Sequence, residues 1–328
     1  MSNYSPAKPP HLTSPRRGGE SRAAFTVAAT VINAHGEAHI GLGRDPDAMI
    51  EKRILKINGE KQRGQKALPE HVAIQWLTPA MDQVFVEGGS ARRRLLDRIV
   101  YNFNPEHAAH VSAYEHAMRE RNRLLTDRGR ADLYWLSVLE QQMAEHGVAI
   151  TLARLETLER LAPLLAEGLA GFPAARLSLE GTLEAWLAQG TSALGVEGRF
   201  AERLMDLRIA DAVATRATEG PQRSFLKVVH SVNGRVAEQC STGEQKALLL
   251  SLVLGAARAR AQWCGSPPIL LLDEVVAHLD VDKRGQLFDL IRSTHVQAWM
   301  SGVEAADFQG LGDDARHVEI DGGTAVMC

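Results

Sequence analysis

Ile269-Leu270-Leu271-Leu272-Asp273-Glu274 sets two adjacent carboxylates directly after four apolar residues. A buried strand that ends on Asp holds a carboxylate at the C-terminal edge of a sheet, where a hard divalent cation on nucleotide phosphates takes oxygen ligands. The glutamate that follows can accept a proton from an attacking water, as phosphoryl transfer to water requires. Apolar strands ending in acidic turns also occur with no such role. A second group lies upstream, where Cys240-Ser241-Thr242-Gly243-Glu244-Gln245-Lys246 precedes the apolar run ALLLSLVLGAA. Ser241 and Gly243 at a helix N-terminus offer an anion a hydroxyl, a close backbone approach and unpaired N–H groups. The plainer alternative is a capping box between Ser241 and Glu244, three residues later.

Arg92, Arg93, Arg94 and Arg98, joined by Arg119, Arg121 and Arg123, form the densest basic cluster. They fit contacts to nucleic-acid phosphates, each adding to the salt dependence of binding. They equally fit a solvated helix face paired with Asp97, Glu115 and Glu120. No interleaved aromatic residues support base stacking. His107, His110 and His116 do not share one helical turn and read as surface histidines, not metal ligands. Cys240, Cys264 and Cys328 are few, odd in number and without C-x-x-C spacing, which excludes a disulfide framework and a zinc knuckle and points to a reducing, cytoplasmic compartment.

The elements that must position these residues follow from periodicity. AAFTVAATV and AHIGLGRD read as a β-hairpin, with Gly41-Leu42-Gly43 a bend at a strand end; ILKING adds a strand and turn, and His71–Leu77 a buried strand. After Gly88-Gly89-Ser90, Leu95, Leu96, Ile99 and Val100 recur at helical spacing with Ser90 as N-cap. From Pro105 to Thr218 the chain is rich in Ala, Leu, Glu and Arg, which predicts a helical subdomain whose long stretch Ala131–Leu169 packs as antiparallel helices or a short coiled-coil-like arm. Beyond Gly220-Pro221, a hairpin around Asn233-Gly234 leads to a helix over Gly243–Gln262, the Ile269–Leu272 strand, a helix over Lys283–Ser293 and a strand over Val296–Met300. That alternation predicts a parallel α/β layer.

With 328 residues, 45% of them hydrophobic, the chain can bury a sizeable core. Lys+Arg 37 against Asp+Glu 40 gives a net charge of −3, so nucleic-acid contact requires a local patch. No run approaches the about 18 apolar residues that span a bilayer, and residues 1–22 read as a flexible tail without the apolar core of a secretory signal.

The resemblance is carried by STGEQKALLLSLVL, ILLLDEVVAHLD and QAWMSG, with WLTPAMDQVFVEGGSARRRLLDRIVYNFNPEHAAHVSAYEHAMRERNRLL and GPQRSFL upstream. Together they resemble the ATPase heads of the ABC and SMC class and, within it, the RecF family of DNA-repair proteins, from about Phe25 to Met300. The resemblance implies an α/β head with a β-rich and parallel-sheet lobe and an inserted α-helical lobe. Residues 23–104 and 219–328 would build the ATPase lobe and 105–218 the helical one. It implies that Asp273 holds Mg²⁺, that Glu274 is the general base, and that Ser241, Gly243 and Glu244 belong to a signature motif touching ATP held by a second subunit. Ala277–Asp280 would form the D-loop at that dimer interface, and Gln75 would be the Q-loop ligand. DNA would lie across an ATP-driven homodimer that works with RecR and RecO type mediators and no membrane.

The phosphate loop is the main departure. No segment fits G-x-x-x-x-G-K-[ST], whose backbone and lysine cradle nucleotide phosphates. Gly59 to Lys66 comes nearest and reads as an exposed loop. The first strand and the phosphate-loop helix are therefore expected to be missing, which predicts weak ATP binding and an exposed apolar sheet face. Gln222 stands where the family often has His, and Val303-Glu304 where it often has Thr-Asp. Two functions follow: an ATP-dependent DNA-binding protein of recombinational repair and replication restart, or a truncated, ATPase-inactive fragment or trans-acting partner of an intact homologue.

Overall fold

The computed structural model describes residues 26–33, 36–44, 53–62, 67–127, 132–169, 171–322 and 324–327. The expected N-terminal tail lies outside them. The chain divides into two compact units, one of Met1–Val31, Glu37–Gln65 and Glu304–Cys328, the other of Ile32–Gly36 and Lys66–Val303.

The smaller unit is built on strands β1 (Thr26–Asn33), β2 (Gly36–Arg44), β3 (Arg53–Ile57) and β4 (Glu60–Lys61), in the order β1-β2-β3-β4. Alternation dictates its buried face: Ala38 and Ile40 of β2 and Leu55 and Ile57 of β3 are buried. The expected bend at Gly41-Leu42-Gly43 is instead continuous strand, in register with Lys56, Leu55 and Ile54. Gly59, with φ 85°, follows Asn58, with φ 51°, in the tight turn between β3 and β4, a conformation that Asn and Gly tolerate best. Residues 63–66, the rest of the segment closest to a phosphate loop, lie outside the described residues.

In the larger unit, α1 (Leu68–His71) precedes β5 (Ile74–Leu77), so the strand expected from His71 begins later. Next come α2 (Gly89–Val100), α3 (His107–Thr126), α4 (Leu133–Glu167), β6 (Ala175–Glu180), α5 (Thr182–Ala188), α6 (Ala193–Asp206) and α7 (Arg208–Ala214). They are followed by β7 (Phe225–His230), α8 (Thr242–Cys264), β8 (Ile269–Leu272), α9 (Val281–Ser293) and β9 (Ala298–Met300). A hairpin of β10 (Val318–Asp321) and β11 (Thr324–Met327) belongs to the smaller unit.

α4 has 35 residues and is about 50 Å long. Asp132 caps it, accepting from the N–H groups of Tyr134 and Trp135. Tyr114, Met143, Val148, Ile150, Leu183, Val196, Phe200 and Leu204 form one apolar core among α3 to α6. β6 departs from the all-helical expectation for 105–218: its alternating Leu177 and Leu179 pair antiparallel with β7. The Asn233-Gly234 hairpin is correspondingly reduced to the bridge Val229–Val236 and the hydrogen bonds of its turn, His230 N–H to Arg235 O and Gly234 N–H to His230 O, both 2.9 Å.

β5, β8 and β9 form the parallel sheet, with β8 in the middle. Leu77, Leu270 and Leu272 are buried on one face. On the other, Trp76, Leu271 and Trp299 stand in register, and Leu271 and Trp299 are 39% and 60% exposed. A parallel sheet is ordinarily covered by helices on both faces.

Candidate functional site

Ser241 adopts an extended backbone and caps α8. Its Oγ accepts from the Glu244 N–H at 3.3 Å, and the Glu244 carboxylate accepts from the Ser241 N–H at 2.8 Å and from its Oγ–H at 3.0 Å. These bonds from Ser241 hold the Glu244 carboxyl below its ordinary pKa. Asn233 Nδ2 also donates to Glu244 at 3.1 Å, so the Asn233-Gly234 turn braces the cap. The capping box is therefore formed, and it uses the only donor the Ser241 hydroxyl has. Ser241, Thr242 and Gly243 are exposed, and a Cβ added at Gly243 would meet nothing within 4 Å. The helix N-terminus thus faces open space with room for an anion. Behind it α8 is buried almost continuously from Gln245 to Ala257.

Asp273 follows β8, and its N–H donates to Leu77 O at 2.9 Å, extending the parallel pairing by one residue. Asp273 and Glu274 are both exposed, and Glu274 has φ 50°. A left-handed glutamate costs on the order of 1 kcal/mol. Ser301, just past β9, holds this turn: its Oγ–H donates to Asp273 Oδ1, and its Oγ accepts from the Glu274 N–H at 3.1 Å. Sequence reasoning missed Ser301, whose signal was its place directly after the strand expected to end at Met300. A carboxylate at the C-terminal end of a parallel strand beside a second exposed carboxylate suits Mg²⁺ and a general base. Asp280 caps α9, accepting from the Lys283 N–H at 2.8 Å. No hydrogen bond or ion pair among the described residues joins Ser241–Glu244 to Asp273–Glu274.

Gln75 is internal. It lies inside β5, opposite Leu270, with no exposed surface, and its Oε1 accepts from Asn102 Nδ2 at 2.5 Å. Strand alternation turns it to the buried face with Leu77, and its Nε2 has no hydrogen-bond partner among the described residues. Gln222 is also internal: its Oε1 accepts from Tyr114 Oη–H at 2.5 Å and its Nε2 donates to Glu219 O at 2.9 Å.

The arginine cluster separates into different environments. Arg92 is 5% exposed, paired with Glu238 and stacked over the Phe225 ring at 4.2 Å, which removes it from the expected DNA contacts. Arg98 is half-buried, 4.1 Å from the Trp76 ring centroid. Arg93 donates to Ser224 O at 3.0 Å, and Arg94 is exposed. α2 begins at Gly89 with Gly88 as its cap, not at the expected Ser90. Arg121 is fully buried and pairs with Glu140 and Asp211. His107, expected at the surface, is buried against Asp97, which also receives both forks of Arg154. Burial pushes the Asp97 carboxyl up, but hydrogen bonds from His107 and Arg154 outweigh it and hold the pKa below the ordinary value. No cluster of metal-ligating residues occurs among the described residues, and no helix there is long and apolar enough to cross a membrane.

No protein-family model matches the chain. The DNA replication and repair protein RecF of Agrobacterium fabrum is 42% identical over 315 residues, covering 95% of this chain and 83% of that protein. Its namesake from Mesorhizobium japonicum is 42% identical over 317 residues, covering 96% and 83%. A solved structure of the recombination mediator protein RecF with ATP, of the RecFOR pathway, superposes with a TM-score of 0.77 at 21% identity, over 93% of this chain and 80% of that one. The likeness in three dimensions gives the fold of that protein, and the sequence identity over most of both chains gives the lineage: the chain belongs to the RecF family of DNA replication and repair proteins.

Proposed function

We propose that the chain is an ATP-dependent DNA-binding protein of recombinational repair and replication restart. In this reading it binds single-strand/duplex junctions, dimerises on ATP and works with RecR and RecO type mediators. The observation that carries the reading is Asp273-Glu274 at the end of the middle strand of a parallel sheet, locked by Ser301, in a chain whose α8 opens on an exposed Ser241-Thr242-Gly243. When bound, Mg·ATP supplies the phosphoryl bond whose hydrolysis resets the dimer. Asp273 would hold the metal, Glu274 would take the proton of the attacking water, and Ser241, Gly243 and Glu244 would form the face presented to a nucleotide on a second head. Asp280 would help shape the loop at that interface. The inactive-fragment alternative is not favoured by matches covering 83% of the relatives' own length.

The test is fluorescence anisotropy of a labelled single-strand/duplex junction with and without Mg·ATP. Tighter binding with Mg·ATP, lost in Asp273→Ala, is expected. Equal affinity in both conditions would contradict the reading.

A further inference from the structure

A pocket of about 230 Å³ opens between α2, α3, α4 and the turn at Pro221-Gln222, away from the carboxylates after β8 in sequence and in element. Ser90, Arg93, Arg94, Glu115 and Arg154 are among its lining residues. Its volume falls below the about 300–1,000 Å³ that encloses a drug-sized ligand, so a single small group fits it better than a whole nucleotide.

The charges around the pocket do not balance. Arg154 gives two donors to Asp97 and the third to Pro221 O, so that pair is self-contained. Glu115, the other lining carboxylate, is paired with Arg119. Arg93 spends one Nη on Ser224 O. Arg94 is exposed and has no ion pair among the described residues, and the same holds for Arg223, which follows the lining residue Gln222 in the chain. Burial lowers the Arg93 pKa, and the neighbouring Arg154, Arg223 and Arg94 lower it further, as expected where cations crowd together.

The backbone adds to the same field. Gly88, with φ 101°, caps α2 without a side-chain acceptor, and no side chain among the described residues accepts from the first turn's N–H groups. A Cβ on Gly89 would stand 2.9 Å from Arg93 Nη1, showing that the Arg93 guanidinium lies against this first turn. Guanidinium forks beside an uncapped helix N-terminus match the oxygens of a phosphate group.

We propose that this pocket is a phosphate-binding site, in which Arg93 and Arg94 supply the forked donors and Ser90 the hydroxyl at the start of α2. The site does not depend on the nucleotide reading, because it uses none of Ser241, Gly243, Asp273 or Glu274. The shared chemistry is a phosphate dianion or diester, from a free phosphate compound or from a nucleic-acid backbone.

Isothermal titration of the full chain with inorganic pyrophosphate, in the absence of ATP, tests it. Saturable binding is expected, weakened about tenfold or more in Arg94→Gln through loss of a charge-assisted contact. Arg176→Gln, exposed and outside the pocket, should bind as the parent chain does. Arg94 is exposed and makes no hydrogen bond or ion pair among the described residues, so Arg94→Gln should keep the parent's circular dichroism and melting temperature. A labelled oligonucleotide then separates the sources. If pyrophosphate displaces it and Arg94→Gln lowers the salt slope by about one, the backbone is the ligand. If pyrophosphate binds in an Arg94-dependent way without displacing it, the site serves a free phosphate compound. Absence of saturable pyrophosphate binding, or equal binding by Arg94→Gln and the parent chain, overturns the proposal whatever the oligonucleotide does.

Discussion

Replacing Arg121 with Met tests whether the basic residues of α3 are architecture or nucleic-acid contacts. The Arg121 side chain has no exposed surface. Its Nε donates to Glu140 Oε1 at 3.0 Å, Nη1 to Asp211 Oδ2 at 2.7 Å and Nη2 to Leu204 O at 2.5 Å, which ties α3 to α4, α6 and α7. Charge-assisted hydrogen bonds contribute about 1.5–3 kcal/mol each, so three give an upper bound of about 4.5–9 kcal/mol. The full sum is not lost, because Glu140 keeps Arg208 and Asp211 keeps the N–H and Oγ–H of Thr218. What remains is a buried cluster with an uncompensated negative charge, for which removal of one partner costs about 3–5 kcal/mol. With a urea m-value near 3 kcal/mol/M, the unfolding midpoint followed by helical circular dichroism should fall by about 1–1.7 M. The DNA affinity of the still-folded variant and its salt slope should match the parent's. A loss below about 1 kcal/mol, or a reduced salt slope at unchanged stability, would refute this reasoning and return Arg121 to the DNA-binding surface.

Ser241→Ala should cost about 1 kcal/mol in chemical denaturation through loss of the capping box, whatever it does to nucleotide-dependent behaviour. Asp97 has its pKa lowered on folding, so its contribution to stability is present above the unfolded carboxylate value and is lost as pH falls through the lower folded value; Asp97→Asn should flatten that acid limb in a pH series of urea midpoints. Gly220 has φ 127°, and an added Cβ would stand 2.4 Å from Tyr114 Oη, so Gly220→Ala should lose on the order of 2 kcal/mol or more by the same assay.

The parallel layer and the helical stretches were legible because their signals are local: four apolar residues before Asp273, a capping pair three residues apart, and apolar residues at helical spacing on both sides of Arg98. β6 was obscured by the helix-forming composition around it, although Leu177 and Leu179 alternate as a strand requires. Arg92, Arg121 and His107 were misplaced for one reason. Their partners Glu238, Glu140, Asp211, Asp97 and the Phe225 ring lie far along the chain or on other elements, and a count of nearby charges does not find them. Gln75 shares a face with Leu77 in the expected strand as in β5, so its turn toward the core follows from strand alternation alone. Ser301 became visible only when β9 was paired beside β8, which brings its hydroxyl to Asp273 and Glu274.

The most direct test of the central claim is sedimentation velocity of the chain mixed with a family member that carries the phosphate loop, with and without Mg·ATP. Ser241 and Gly243 are exposed and open on the surface of this chain, and the account predicts a heterodimer that forms only with Mg·ATP and is lost in Ser241→Arg. Association that ignores Mg·ATP, or a Ser241→Arg variant that still dimerises on it, would contradict the assignment of this surface to a nucleotide held by a second head.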